Sequence, residues 1–390
     1  MLLARVITRF AGIMAMVGLF TGCAAQQVRE RYFWPPPPDT PRVEWLGAYQ
    51  NEQDLKPKGG LLELVVGDME QFGLERPTYI SADGKGKVFV SDYKLQGFVV
   101  FDLNARTVHM LGGQKSIGLF DFPSGLAIDN DGSIYAADSN KRKIFVLDRN
   151  ENYTASLDLS KELTSIASIA IDKQRKHLIV PDVKGQKVVI YDIATRSIIK
   201  TLGREVKDIP NSEPINFNYP TSAAVDAKGN FWICDSMNAR VIQFSPEGKH
   251  ISEFGQRGDA LGDFAIIKAA AIDSEGHLYV TDGKAHRISI FNDKGEVLLV
   301  FGGPYALKGV GSEVRPGGFL LPNGIYIDQN DTIYIVDQMN GRFQVYQYVT
   351  ERYLKEHPIT DQAPAAKAST RAVPISAPVP SIDSSGAKAK

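Results

Sequence analysis

Apolar and polar positions alternate along this chain in short runs, and the runs return in register six times. One unit reads FVSDYKLQGFVVFD and ends at Asp102. Its relatives are YAADSNKRKIFVLD, IVPDVKGQKVVIYD, WICDSMNARVIQFS, YVTDGKAHRISIFN and YIVDQMNGRFQVYQ. Each carries a marker aspartate at the same place: Asp92, Asp138, Asp182, Asp235, Asp282 and Asp337, spaced by 46, 44, 53, 47 and 55 residues. An earlier aspartate stands nine positions before the marker in five copies (Asp83, Asp129, Asp226, Asp273, Asp328) and ten before it in the third (Asp172). Alternation with a period of two, bounded by Gly, Asp and Asn turns, predicts strands. Each unit opens with an apolar run such as PSGLAID, turns through Asp-x-x-Gly in four copies, forms two strands around the marker and adds a fourth such as HISEFG. Four short strands per repeat of about 45 residues predict a β-propeller. The fold class is therefore all-β: a six-bladed propeller, because six blades set around an axis bury faces that one blade cannot.

The first strand of each unit is the innermost and has least room. Four residues before its aspartate stand Tyr79, Gly125, Ser168, Ser222, Ala269 and Gly324, and two before it Ser81, Ala127, Ala170, Ala224, Ala271 and Tyr326. Ten of these twelve are small. Tyr79 and Tyr326 fall in the first and last copies, neighbours once the ring closes. They either line one side of the channel mouth or pack locally. The last copy has only three clear strands, and RVEWLGAY (Arg42 to Tyr49) is expected to supply the fourth and staple the ring.

The ends read differently. Arg5 and Arg9 precede an apolar run, FAGIMAMVGLF, too short to span a membrane comfortably. It ends in LFTGCAA, which resembles a bacterial lipoprotein signal with Cys23 as the lipidated residue. Phe20 stands where that family prefers Leu. The resemblance implies a lipid anchor in the cell envelope, with the outer membrane, periplasmic side, expected over the inner. The four prolines Pro35–Pro38 predict a stiff spacer. The tail from about His357 is rich in Pro, Ala, Ser and Lys and is expected to be disordered. The expected organisation is a signal peptide over 1–22, a Pro-rich tether over 23–41, the propeller over 42–355 and a disordered tail over 356–390.

The units have a family likeness. PSGLAIDNDGSIYAADSNKRKIFVLD, PTSAAVDAKGNFWICDSMNARVIQF and PNGIYIDQNDTIYIVDQMNGRFQVY resemble the NHL repeat, and with the lipidation signal the chain is similar to bacterial NHL-propeller lipoproteins. The third copy is degenerate, lacking the leading proline and the turn glycine. The resemblance is specific for fold and not for function, because propellers host binding proteins, scaffolds, lyases and lactonases alike.

The chemistry is sparse. Net charge is −1 and there is no run of Lys and Arg, so no nucleic-acid partner is expected. Two distant cysteines make neither a disulfide framework nor a CxxC site. Cys234, followed by Asp235 and then Arg240, has the outline of a thiol site. The same slot holds Ser91, Ala137, Pro181, Thr281 and Val336 elsewhere, so Cys234 is read as a small buried residue. Cations five residues after the marker (Lys143, Lys187, Arg240, Arg287, Arg342) predict structural turns. Propeller enzymes resembling amidating lyases or gluconolactonases hold an axial metal, but none of the six histidines falls on a predicted inner strand, so neither a metal nor a cofactor is expected. Two long connections, Gly203–Tyr219 and Gly302–Phe319, share the marker rim. With Tyr79, Tyr219, Tyr305, Lys308, Arg315 and Tyr326 they form the candidate binding rim. The reading is a non-catalytic binding or scaffolding module with a protein or envelope partner. Alternatives are a metal-dependent propeller lyase or lactonase-type hydrolase, and an accessory subunit of an envelope redox or export complex.

Overall fold

The computed structural model describes residues 30–56, 72–113, 118–203, 215–307 and 314–359. Five blades form from consecutive strands, inner to outer. Blade 1 is β3 (Pro77–Ala82), β4 (Lys87–Asp92), β5 (Gly97–Asp102) and β6 (Thr107–Met110). Blade 2 is β7 (Pro123–Ile128), β8 (Ile134–Asp138), β9 (Lys143–Leu147) and β10 (Tyr153–Asp158). Blade 3 is β11 (Ala170–Asp172), β12 (His177–Asp182), β13 (Lys187–Asp192) and β14 (Ser197–Gly203). Blade 4 is β15 (Pro220–Val225), β16 (Phe231–Asp235), β17 (Arg240–Phe244) and β18 (His250–Phe254). Blade 5 is β19 (Ile267–Ile272), β20 (Leu278–Asp282), β21 (Arg287–Phe291) and β22 (Val297–Phe301). The degenerate third repeat has the shortest inner strand, three residues, supplemented by an isolated bridge between Ile166 and Asp182.

Blade 6 takes β25 (Pro322–Ile327), β26 (Thr332–Asp337) and β27 (Arg342–Tyr348) from the end of the repeat region, and β2 (Val43–Tyr49) from its start. β2 runs antiparallel to β27, from Val43 opposite Tyr348 to Tyr49 opposite Phe343, so the N-terminal strand closes the ring. A fifth strand, β1 (Tyr32–Trp34), adds outside β2. The stretch read as a spacer is therefore folded from Tyr32 onward. Phe33 and Trp34 are buried, and Trp34 packs against Phe301 and Tyr346 at 5.7 and 5.8 Å between ring centroids. Burying two aromatic side chains outweighs what four prolines would gain by staying extended in water.

A short parallel pair, β23 (Gly303–Pro304) with β24 (Gly318–Phe319), ties the two ends of the connection into blade 6. After β27 a single-turn helix, α1 (Glu351–Glu356), starts at Thr350, whose hydroxyl accepts the Tyr353 N–H at 3.1 Å. Among the described residues no helix is long and apolar enough to cross a membrane. Cys23, Lys308 and the tail from 360 lie outside the described residues.

The small inner-strand side chains have a steric cause. A Cβ on Gly125 would stand 2.5 Å from the Ile169 nitrogen, and one on Gly324 2.6 Å from the Tyr79 Cα. Neighbouring inner strands thus approach too closely for any side chain at those points.

Candidate functional site: a one-ended central cavity

Antiparallel blades put two kinds of connection on two faces. Turns from first to second strand and from third to fourth share one face, the turn face. Second-to-third turns and the links between blades share the other, the marker face, since the marker aspartates end the second strands.

The marker aspartates are almost fully buried and hold the marker face together. Asp92 Oδ2 accepts the Glu75 and Arg76 N–H groups, both at 2.7 Å, while its Oδ1 accepts Lys94 and Leu95. Asp138 does the same with Asp121, Phe122 and Lys141, Asp182 with Thr164, Ser165 and Gly185, and Asp282 with Ala265, Ile266 and Ala285. One carboxylate thus binds the entry of its blade to its own turn. The paired cations vary. Arg240 Nε meets Asp235 at 2.9 Å and Arg342 Nε meets Asp337 at 2.8 Å. Arg287 and Lys187 instead donate to loop carbonyls, and Lys143 pairs with Asp158. Cys234 is wholly buried beside Asp235, and desolvation pushes its thiol far above the usual range. It is not a nucleophile.

The six inner strands surround a cavity of about 560 Å³. Tyr79 belongs near the marker-face end of β3, and its hydroxyl crosses the axis to donate to the Thr221 carbonyl on blade 4 at 2.6 Å. Blades 1 and 4 are opposite in a ring of six. Tyr79 therefore does not line one side of the channel; it bars it. The cavity extends from that bar to the turn face, where Lys173, Gln174, Asp226, Ser274 and Gln329 border it. Tyr326 lines its wall, and desolvation pushes that phenol up to about 12. Ser168 lines it too, and its buried Oγ has no hydrogen-bond partner among the described residues. An orphaned hydroxyl in a polar cavity calls for a polar ligand atom or water.

Lys173 is the titratable group that stands out at the turn-face end. Burial lowers its ammonium pKa, against a smaller opposing pull from Asp129. Asp226 spends its carboxylate on its own turn, accepting Lys228 and Asn230. Asp273 spends its own on Glu275 and His277, and the hydrogen bond to Asp273 raises the His277 pKa.

The other rim candidates lie apart from this cavity, on the marker face. Tyr219 is 46% exposed and held at φ 60, a left-handed backbone that a bulky residue rarely adopts. Arg315 stacks over the Tyr305 ring at 5.8 Å, and Asn340 anchors that loop through Leu307 and Tyr305. The candidates thus divide: Tyr79 and Tyr326 in the cavity, Tyr219, Tyr305 and Arg315 on the rim. Nothing in the repeat pattern singles out Lys173, because it sits in the degenerate third copy.

An axial metal of the kind propeller enzymes hold does not fit these residues. At the level of Tyr79 the ring offers Gly125, Ser168, Ser222, Ala269 and Gly324. Among the described residues no three His, Cys, Asp or Glu side chains gather to hold an ion.

Residues 120–147 match the NHL repeat model, and 159–256 match the model of the SMP-30/Gluconolactonase/LRE-like region. The chain is 23% identical over 261 residues to peptidylglycine alpha-amidating monooxygenase of Rattus norvegicus, covering 66% of this chain and 17% of that protein. It is 24% identical over 178 residues to a probable peptidyl-alpha-hydroxyglycine alpha-amidating lyase of Caenorhabditis elegans, covering 40% and 49%. It thus spans half or less of these relatives. A protein of unknown function from Bacteroides thetaiotaomicron superposes with a TM-score of 0.54 at 15% identity, covering 78% of this chain and 75% of that one, which speaks to the fold alone. The expectation of a non-catalytic module is corrected here, since the relatives in sequence are named enzymes. It went astray by equating catalysis with a metal-ligating or nucleophile motif, and neither is needed where a cavity supplies a base. The chain is a six-bladed β-propeller built of NHL repeats.

Proposed function

We propose that the protein is a propeller enzyme of the lyase class, whose substrate enters the central cavity from the turn face. The observation that carries this is the one-ended cavity, barred by Tyr79 and bordered by a lysine of lowered pKa, in a chain related in sequence to amidating lyases. The substrate class is a peptide ending in α-hydroxyglycine. In its cleavage the bond between the amide nitrogen and the hydroxylated carbon breaks. The hydroxyl loses its proton as the carbon becomes an aldehyde, and the nitrogen gains one to leave as a primary amide.

Lys173, in its neutral form, is the base that takes the hydroxyl proton. Ser168 and Tyr326 bind the substrate's polar end, and Tyr79 closes the cavity behind it. No step runs through a metal. The test is amide release from a peptidyl-α-hydroxyglycine by the purified protein with a chelator present. Release that drops about a hundredfold or more in Lys173→Met supports the reading; absence of release from the wild type contradicts it. The match of residues 159–256 to the gluconolactonase region favours lactone hydrolysis as a second reading, checked by the same protein on an aldonolactone.

We also propose that the enzyme works in the bacterial cell envelope, tethered through a lipidated Cys23. Arg5, Arg9, the apolar run before Phe20 and the Gly22-Cys23 pair support this. Labelled palmitate should enter the wild type and not Cys23→Ala; an unlabelled wild type overturns the anchor.

A further inference from the structure

Large apolar side chains are exposed very unevenly over this ring. Tyr93, Phe122, Tyr219, Met237, Leu261 and Met339 are between 38% and 46% exposed. All six stand on second-to-third turns or on links between blades, hence on the marker face, and Phe72 and Val314 lie on the same side. The other large apolar side chains described as exposed, Tyr153, Ile199, Ile251 and Leu298, belong to the outermost strands at the ring's flank. Among the described residues the turn face has none. Single exposed apolar residues need no explanation; a set gathered on one face does.

Two features say what covers it. The first is the side from which the chain arrives. β27 runs from the marker face to the turn face, so its antiparallel partner β2 runs back, and β1, antiparallel to β2, again runs from the marker side toward the turn side. Tyr32 pairs with Trp45 and Trp34 with Val43, at the turn-face end. The chain therefore enters β1 from the marker side. Eight residues, Ala24 to Arg31, separate Cys23 from Tyr32. Such a leash reaches at most roughly 30 Å. A lipid on Cys23 would keep the marker face close to the surface it enters.

The second feature is the company these side chains keep. Tyr93 and Phe122 stack across blades 1 and 2 with centroids 5.8 Å apart. Cations flank the set: Arg76 Nη1 donates to the Met339 sulfur, Arg257 Nη2 to the Met237 carbonyl, and Lys141 Nζ to the Gly118 and Leu119 carbonyls beside Phe122. Aromatic and thioether side chains ringed by Arg and Lys are the composition of an interfacial surface, with rings at headgroup level and cations on phosphate.

The geometry points to the marker face as a membrane-docking face, lying on an anionic phospholipid surface while the cavity opens on the opposite face. This rests on the reading of Cys23 as lipidated. Docking adds the second contact that a lipid chain needs for stable membrane attachment. It also turns the cavity mouth away from the lipid.

The test uses full-length protein in vesicles of phosphatidylethanolamine and phosphatidylglycerol. The vesicles carry a phospholipid with a photoreactive headgroup-proximal diazirine, and the labelled peptides are mapped by mass spectrometry. Palmitate incorporation is measured on the same sample. Labelling is expected on peptides holding Tyr93, Phe122, Met237 and Met339, and not on the turn-face peptides around Asp226 and Asn330. It should fall about tenfold or more in a variant carrying Tyr93→Ser, Phe122→Ser, Met237→Ser and Met339→Ser, whose blades should stay folded because all four side chains are exposed. Palmitate on the protein with no lipid adducts on the marker face, or with adducts on both faces, overturns the docking and leaves the anchor standing. Crosslinks from that face to another protein in place of lipid overturn it as well. No palmitate on the wild type removes both.

Discussion

The two faces of the ring are built from the same repeat and have opposite characters. On the turn face each link is short and closed by its own polar groups. Asp226 Oδ1 accepts the N–H groups of Lys228 and Asn230, and Gly229 takes the left-handed position at φ 87. Where the sixth repeat lacks that glycine, Asp331 adopts φ 59 and receives two hydrogen bonds from Ser274 of blade 5. On the marker face the links between blades are long, and one buried carboxylate per blade must gather them. Short turns satisfy themselves and leave nothing apolar over. Long links depend on a buried ion and leave Tyr, Phe and Met in solvent. The same repeat can therefore keep one face as a fixed polar mouth and give the other over to contact.

That contrast can be broken most forcefully at Asp337. Removing it in Asp337→Ala leaves Arg342, 2% exposed, buried without its partner, and should cost about 3–5 kcal/mol by denaturant unfolding. Its turn-face counterpart, Asp226→Ala, loses only hydrogen bonds in an exposed turn and should cost about 1 kcal/mol. Equal losses would mean that the two faces are not held differently. Trp34→Ala should cost about 3–5 kcal/mol, because the indole is part of the core. A variant as stable as wild type would return residues 32–41 to the role of spacer.

The turn face also carries a pH-sensitive clamp. Glu151 of blade 2 receives Lys87 Nζ at 2.7 Å and lies 2.9 Å from His109 Nε2, both on blade 1. Burial alone would raise its pKa, yet these two partners bring the carboxyl down to about 2 from an ordinary 4.5. A folded pKa below the unfolded one contributes stability that is full above pH 4.5 and is lost as pH falls toward 2. Thermal melting should therefore show an acid loss of a few kcal/mol at most, which Glu151→Gln lacks. The smallest effect belongs to the bar across the axis. Tyr79→Phe removes one hydrogen bond and should cost about 1 kcal/mol while keeping the ring in place.

The fold was legible because the alternation and the marker aspartates repeat in register, so each blade reports on the others. The closing strand could be read for a related reason: blade 6 is one strand short and Arg42–Tyr49 has the right pattern. β1 escaped because FWPPPP reads locally as an extended spacer, and only the Phe301 and Tyr346 rings, far along the chain, make a pocket for Trp34. The site was less legible still. Tyr79 stood out by size among small residues, but its partner Thr221 is 142 residues away and in no periodic relation to it. Lys173 gains its character from burial, and Ser168 from lacking a partner. Neither property is written in residue type or spacing. The direct aspartate–arginine pairs at Asp235 and Asp337 were expected of every blade with a cation and occur where Arg, not Lys, folds back on its own turn.

The central claim is that the cavity behind Tyr79 carries out lyase chemistry with Lys173 as the base. Its most direct measurement is amide release from a peptidyl-α-hydroxyglycine by the full-length protein in the presence of a chelator, followed against pH. We expect release that persists with the chelator, rises as Lys173 loses its proton and drops about a hundredfold or more in Lys173→Met. Release that vanishes with the chelator, or that is unchanged in Lys173→Met, would contradict it.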